Sequence, residues 1–249
     1  MLRAQRKLNH VLVFAHLEQK LNGPFLCPDC KKEVLLRKSV VRVSHFAHRA
    51  SSHCSHSSRE TEAHRRCKKA IYEALSDQPG VTDVALERSF GTVRPDVSAL
   101  IRGVRVAIEV QLSTLSLETI AHRTSEYARK GIYVLWLAQW TPYLDAERYS
   151  PRLWEKWVHA CYFGRVYYWK EGLCVLPYRF EPHYRETKNV RYEISRKQAR
   201  GNLRRKSKRY RTPIREAARH IVNNFMKKDR DAWEGRIIKI GGAKLFIAQ

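Results

Sequence analysis

Arg94-Pro95-Asp96-Val97 and, a short way on, Val106-Ala107-Ile108-Glu109-Val110-Gln111 are the stretches that decide how this chain folds. The second is an apolar run broken by a carboxylate. Burying Glu109 among such neighbours is unfavourable unless strong donors or a cation compensate, and a divalent metal is the commonest compensation. Residues 95–101 and 104–111 read as two strands around Arg102-Gly103, a turn pair, so that a hairpin would bring Asp96 towards Glu109. Alternation along the second strand puts Glu109 and Gln111 on one face.

Working outwards, residues 82–90 read as a third strand, which makes a meander. Before it, residues 58–75 have a helical stripe of Ala63, Ala70, Ile71, Ala74 and Leu75, with Ser57 or Ser58 as N-cap and Pro79-Gly80 as the stop. Glu60, His64 and Lys68 recur every four residues on this helix and form a second stripe that reaches the same place. After the meander, Ser116 caps a helix that runs to Lys130 and stops at Gly131, and residues 132–138 read as a buried strand. The order of helix, three strands, helix and strand gives a mixed α/β core.

Any one of these carboxylates alone is best read as a solvated surface residue; their conjunction is the signal. Phosphodiester hydrolysis needs a cation that activates water and neutralises charge on the phosphate, together with a group that orients the nucleophile. Asp96 and Glu109 are expected to bind Mg²⁺ (or Mn²⁺), with Glu60 completing the site directly or through water. Gln111 or Lys68 is expected to position the attacking water.

Cys27-Pro28-Asp29-Cys30 is followed by His45-Phe46-Ala47-His48 and then by His53, Cys54 and His56. A C-x-x-C knuckle supplies two thiolates to a tetrahedral zinc, and distant His or Cys residues close the loop. Structural Zn²⁺ on Cys27 and Cys30 is the expectation. His45, His48 and Cys54 compete for the two remaining places.

Against 24 acidic residues stand 48 Lys and Arg, a formal charge of +24, and 43% of the chain is hydrophobic. Such an imbalance serves a polyanion, with nucleic acid as the first candidate. The longest apolar stretch, residues 132–138, is far short of the ~20 residues that cross a bilayer, so no membrane partner is expected. The apolar run near the N-terminus is too short for a signal peptide, and the expected setting is the cytoplasm.

Beyond Pro151, Trp154, Trp157 and Tyr162 mark a packed helix, followed by a hairpin around Glu171-Gly172. Residues 188–219 then hold 13 Lys or Arg against two Glu, a net excess of eleven. Arg196, Lys197, Arg200, Arg204, Arg205, Lys206, Lys208 and Arg209 are the candidates for lying along a phosphate backbone. The alternative is a flexible solubilising tail. Tyr167, Tyr168 and Trp169 are candidates for stacking on bases, against the commoner role of packing.

Taken in order, Cys27-x-x-Cys30, His45-Phe46-Ala47-His48, Glu60-x-x-x-His64-x-x-x-Lys68, Arg94-Pro95-Asp96-Val97, Ala107-Ile108-Glu109-Val110-Gln111, Arg123-x-x-x-Tyr127 and Gly164-Arg165-Val166-Tyr167-Tyr168-Trp169 resemble the competence protein CoiA-like family over about residues 10–180. The resemblance implies a restriction-endonuclease-like, PD-(D/E)xK core and Mg²⁺-dependent cleavage of DNA, with Glu60, His64, Lys68, Asp96, Glu109 and Gln111 as the catalytic set. In the wider superfamily the last position is most often Lys, and Gln111 stands there in this chain.

The expected organisation is a zinc module (1–57), a nuclease core (58–140), a helix and hairpin appendage (141–185) and a basic nucleic-acid-binding extension (186–249). The competing expectation is a non-catalytic DNA-binding factor that retains the fold.

Overall fold

A computed structural model describes residues 1–49, 54, 60–194 and 197–249, without the side chains of 188–203. Its first element is a small antiparallel sheet of β1 (Arg3–Arg6), β2 (Leu12–Phe14), β3 (Phe25–Leu26), β4 (Glu33–Arg37) and β5 (His45–His48), in the order β2-β1-β3-β4-β5. Alternation along β4 turns Val34 and Leu36 inwards, where with Ala4, Phe25, Cys27 and Phe46 they make a core separate from the main one.

The main core begins with α1 (Glu62–Ser76). Thr61 is its N-cap, its hydroxyl accepting from the His64 backbone N–H at 3.2 Å. The helix therefore starts later than the serines at 57 and 58 would set it, and Glu60 lies ahead of the first turn rather than on the stripe with His64 and Lys68. Its buried face is Cys67, Ile71 and Leu75, with Lys68 beside them.

The meander follows as β6 (Val81–Leu86), β7 (Val97–Ile101) and β8 (Val104–Gln111), all antiparallel. Arg102 and Gly103 both have positive φ, 48° and 76°, as the tight turn of a right-twisted hairpin requires. Next, α2 (Leu117–Arg129) is capped by Ser116, whose hydroxyl accepts from Thr119 N at 3.1 Å, and the chain leaves it through Gly131 at φ 69°. It returns as β9 (Tyr133–Gln139), parallel to β8, and after α3 (Leu153–Cys161) as β10 (Val166–Glu171), parallel to β9. Helical crossovers are what parallel neighbours need, and β9, covered on both faces, is apolar almost throughout.

Tyr167 and Tyr168 of β10 are each 1% exposed, and Trp169 donates its indole N–H to Gly172 O at 3.0 Å. The first two are core, so base stacking by them is corrected to packing.

Residues 186–249 do not form a separate tail. A single strand, β11 (Cys174–Ile194), runs through position 186 and pairs antiparallel with β12 (Lys197–Arg215), from Tyr178↔Arg215 to Ile194↔Lys197. Beyond it, β13 (Arg219–His220), α4 (Ile221–Asn224), β14 (Phe225–Arg230), β15 (Trp233–Glu234), β16 (Lys239–Ile240) and β17 (Ala243–Ala248) fold back on the body. Ile221, Phe225, Leu245 and Phe246 join the main core, and Leu245 pairs with Val134 of β9. Charge hid these apolar positions, which are scattered between basic residues. Among the described residues no helix is long and apolar enough to cross a membrane.

Candidate functional site

β7 and β8 pair with Val97 opposite Ile108, and one step outwards along that register sets Asp96 opposite Glu109. Both face a cleft of about 810 Å³, which Glu60, His64, Lys68, Gln111 and Arg123 also line. The two stretches read as a hairpin thus deliver their carboxylates to one wall.

Each carboxylate is held by its own partners. Asp96 accepts from the Val110 backbone N–H at 2.9 Å and from His64 Nε2 at 3.0 Å. Burial works to raise its pKa, but His64, Lys68 and the Val110 N–H outweigh it and hold the group ionised. The same pairing raises the His64 pKa against the pull of burial. Glu109, 2% exposed, accepts from both Arg123 and Tyr127, which stand four residues apart on α2. Burial and the nearby charge of Asp96 nevertheless push it up to about 7, the Arg123 charge acting the other way. Arg123 in turn lies over the Trp136 ring, 5.4 Å from its centroid.

Lys68 is 3% exposed and sits amid three carboxylates. Its ammonium meets Glu60, Glu87 at 2.5 Å and Asp96 at 3.7 Å. Burial disfavours its charge, yet these neighbours raise its pKa, and it draws Glu87 down to about 2 against the effect of burial. Glu60 is bound to Lys68 and to the Met1 ammonium at 3.1 Å, with His64 Nδ1 3.6 Å away. Gln111 donates to Ser113 O at 2.8 Å.

Glu60, Asp96 and Glu109 do not converge into a three-ligand cluster. The one such group among the described residues is Cys27, Cys30, His48 and Cys54, whose ligand atoms lie within 4.8 Å of one another. Donors about 2.3 Å from a tetrahedral zinc are about 3.8 Å apart, so the set fits. Cys30 Sγ and His48 Nε2 are 3.2 Å apart. Burial pushes the Cys27 thiol up to about 12. In Cys30 burial acts the same way but is outweighed by the Lys32 N–H and the neighbouring thiols, so its pKa falls.

His45 is not in that group. Its Nδ1 is 3.0 Å from Val43 O, and the residue lines the cleft. Residues three apart on a strand face opposite ways, so β5 sends His48 to the cysteines and His45 to the cleft. His53 and His56 lie outside the described residues.

Three contributors were missed as site residues. Arg123 and Tyr127 were visible as an i, i+4 pair, but their role as donors to Glu109 was not. Glu87 follows β6 with nothing in its neighbours to mark it, yet its carboxylate takes both Lys68 and the Leu2 N–H at 3.0 Å.

Fold and site together define a mixed α/β protein that carries a carboxylate-lined cleft beside a Cys/His cluster able to hold a metal. Residues 12–57 match the family model described as competence protein CoiA, N-terminal domain, and residues 60–155 match that of competence protein CoiA, nuclease-like domain. Competence protein CoiA of Bacillus subtilis (strain 168) is 30% identical over 130 residues, 51% of this chain and 34% of that protein. The chain thus spans about a third of the curated relative it matches. No solved structure matches it. The chain belongs to the CoiA-like family.

Proposed function

We propose that this chain is a divalent-metal-dependent DNA nuclease with a core of the PD-(D/E)xK kind, acting in the cytoplasm. The observation that carries this reading is the placement of Asp96 and Glu109 on one wall of the cleft, with Glu109 raised to about 7 by burial and by Asp96. Two carboxylates that crowd each other in a buried wall gain most from a shared cation.

Asp96 and Glu109 would hold Mg²⁺ or Mn²⁺, which when bound supplies an activated water and neutralises charge on the phosphate. His64 fixes the Asp96 carboxylate, and Arg123 and Tyr127 fix that of Glu109. Lys68 is engaged by the acids it neutralises, which leaves Gln111 as the better candidate for orienting water. Glu60 would act at one remove, through Lys68 and His64. The Cys27, Cys30, His48 and Cys54 cluster would hold structural Zn²⁺.

A second reading, a DNA-binding factor without catalysis, is favoured by the separation of Glu60 from the other two carboxylates. Assaying the purified chain on single- and double-stranded DNA with Mg²⁺, Mn²⁺ or EDTA separates the two. Metal-dependent cutting is expected, and tight binding with no cutting in either metal would support the second reading.

A further inference from the structure

The pairing of β11 with β12 is broken near its root. Pro182 pairs with Arg211 and Tyr184 with Lys206, so residues 207–210 stand opposite position 183 alone. This bulge is closed by its own hydrogen bonds: Ser207 Oγ accepts from Tyr210 N at 2.9 Å, and the Arg211 guanidinium reaches the carbonyls of Ser207 at 3.2 Å and Tyr210 at 2.9 Å. It opens a cup of about 400 Å³ in which Arg185, Arg205, Lys206, Lys208 and Arg209 surround Tyr210 with no carboxylate in the lining. Five like charges around one hollow repel one another unless a polyanion fills it.

The aromatic rings identify which part of a nucleic acid belongs there. Arg148, Arg185 and Arg209 lie 5.0–5.3 Å from the Tyr210 ring centroid, and Arg204 lies 4.5 Å from that of Tyr184. Faces occupied by guanidinium groups are not offered to bases, so the cup suits phosphates.

Past the bulge, β11 continues for residues 184–194. At ~3.3 Å per residue these reach at most about 36 Å, a second register shift between Thr187 and Val190 shortening the run, on the scale of the ~34 Å of one turn of B-form DNA. Residues 184–206 carry nine Lys or Arg against two Glu. The major groove of B-DNA, ~12 Å wide, admits a two-stranded ribbon, whereas that of A-form RNA is too narrow for side chains to read. We propose that the ribbon lies in the major groove of duplex DNA, with the cup at its root gripping the sugar–phosphate backbone.

The root is tied to the cleft. Tyr149 and Arg211 exchange backbone hydrogen bonds at 2.8 Å, and Arg152, three residues on, donates to the carbonyl of Leu112, which lines the cleft. The inference rests on the nuclease reading for its consequence, that the substrate is duplex DNA, while docking itself needs no catalysis.

The test is fluorescence anisotropy of the full chain carrying Asp96→Asn, in EDTA, with a labelled DNA duplex of about three turns, its single strand and the matching RNA duplex, over a range of salt. Duplex DNA is expected to bind at least ~10-fold more tightly than either alternative, and the Lys208→Gln/Arg209→Gln pair to lower affinity ~10-fold with a salt slope smaller by roughly 0.9 for each phosphate no longer neutralised. Glu186→Gln, which removes the acid flanking the cup, is expected to tighten binding. Equal affinity for the three ligands, preference for RNA, or indifference to the paired substitution would overturn the inference. Tight duplex binding by a chain whose wild type cuts nothing would support the ribbon and sink the nuclease reading; undiminished cleavage by the paired substitution placed on the wild-type Asp96 background would do the reverse.

Discussion

Arg94, two residues before Asp96, is ion-paired with Asp29 inside the Cys27–Cys30 knuckle. The side chains are 15% and 17% exposed, so the pair is largely withdrawn from water. The knuckle thereby braces the loop that presents Asp96 to the cleft. Removing one member leaves the other charge poorly solvated, and Asp29→Asn is expected to lower stability by about 2 kcal/mol. Cleavage should fall ~10-fold at unchanged zinc content, since misplacement of a reacting group is expensive. Activity unaffected in a zinc-replete Asp29→Asn protein would contradict the bracing role.

Zinc content should distinguish the two histidines of β5. Cys30→Ser and His48→Ala are expected to lose zinc, as measured by elemental analysis, and to unfold at lower temperature. His45→Ala should keep its zinc and lose cleavage or DNA affinity instead. Loss of zinc from the His45 variant would show that the strand faces are assigned the wrong way round.

Lys68 pairs with three carboxylates at once, those of Glu60, Glu87 and Asp96. Lys68→Ala should destabilise the fold by about 3–5 kcal/mol at pH 7, because buried charges lose their partner. Glu87, lowered to about 2, gives stability that is present above its ordinary 4.5 and is lost as pH falls towards 2. Urea titrations should therefore show the gap between wild type and variant narrowing in acid. A constant gap would mean that packing of the Lys68 stem, not its charge, is what matters.

Much of the carboxylate wall was legible in sequence because strand periodicity and a turn pair translate directly into register. Asp96 and Glu109 are brought together by that rule, as is the side of β8 that carries Gln111. The histidines of β5 obey the same rule, and an odd spacing could have separated His45 from the zinc set. Capping was harder to read, since Ser57, Ser58 and Thr61 are all competent N-caps and tertiary packing makes the selection. Glu87 and the Arg94–Asp29 pair join residues distant in sequence, so no local pattern reports them. The ribbon was hidden for a different reason. Strong net charge reads as solvated tail, whereas backbone pairing with a neighbouring strand depends little on side-chain charge.

Metal affinity should follow the protonation of Glu109. With its pKa raised to about 7, the carboxylate takes up a proton below that point, and a ligand must shed that proton before it binds a cation. Calorimetric titration with Mn²⁺ should show affinity falling by up to ~10-fold per pH unit below 7. Glu109→Gln should bind weakly with a flat profile. A pH-independent affinity in the wild type would place the cation elsewhere.

Single-turnover cleavage of duplex DNA by wild type and Asp96→Asn, with binding followed in parallel, bears most directly on the claim that the paired carboxylates are a catalytic centre. The expected result is a loss of at least ~10³-fold in cleavage with affinity held within about threefold. Cleavage by Asp96→Asn at the wild-type rate would contradict it.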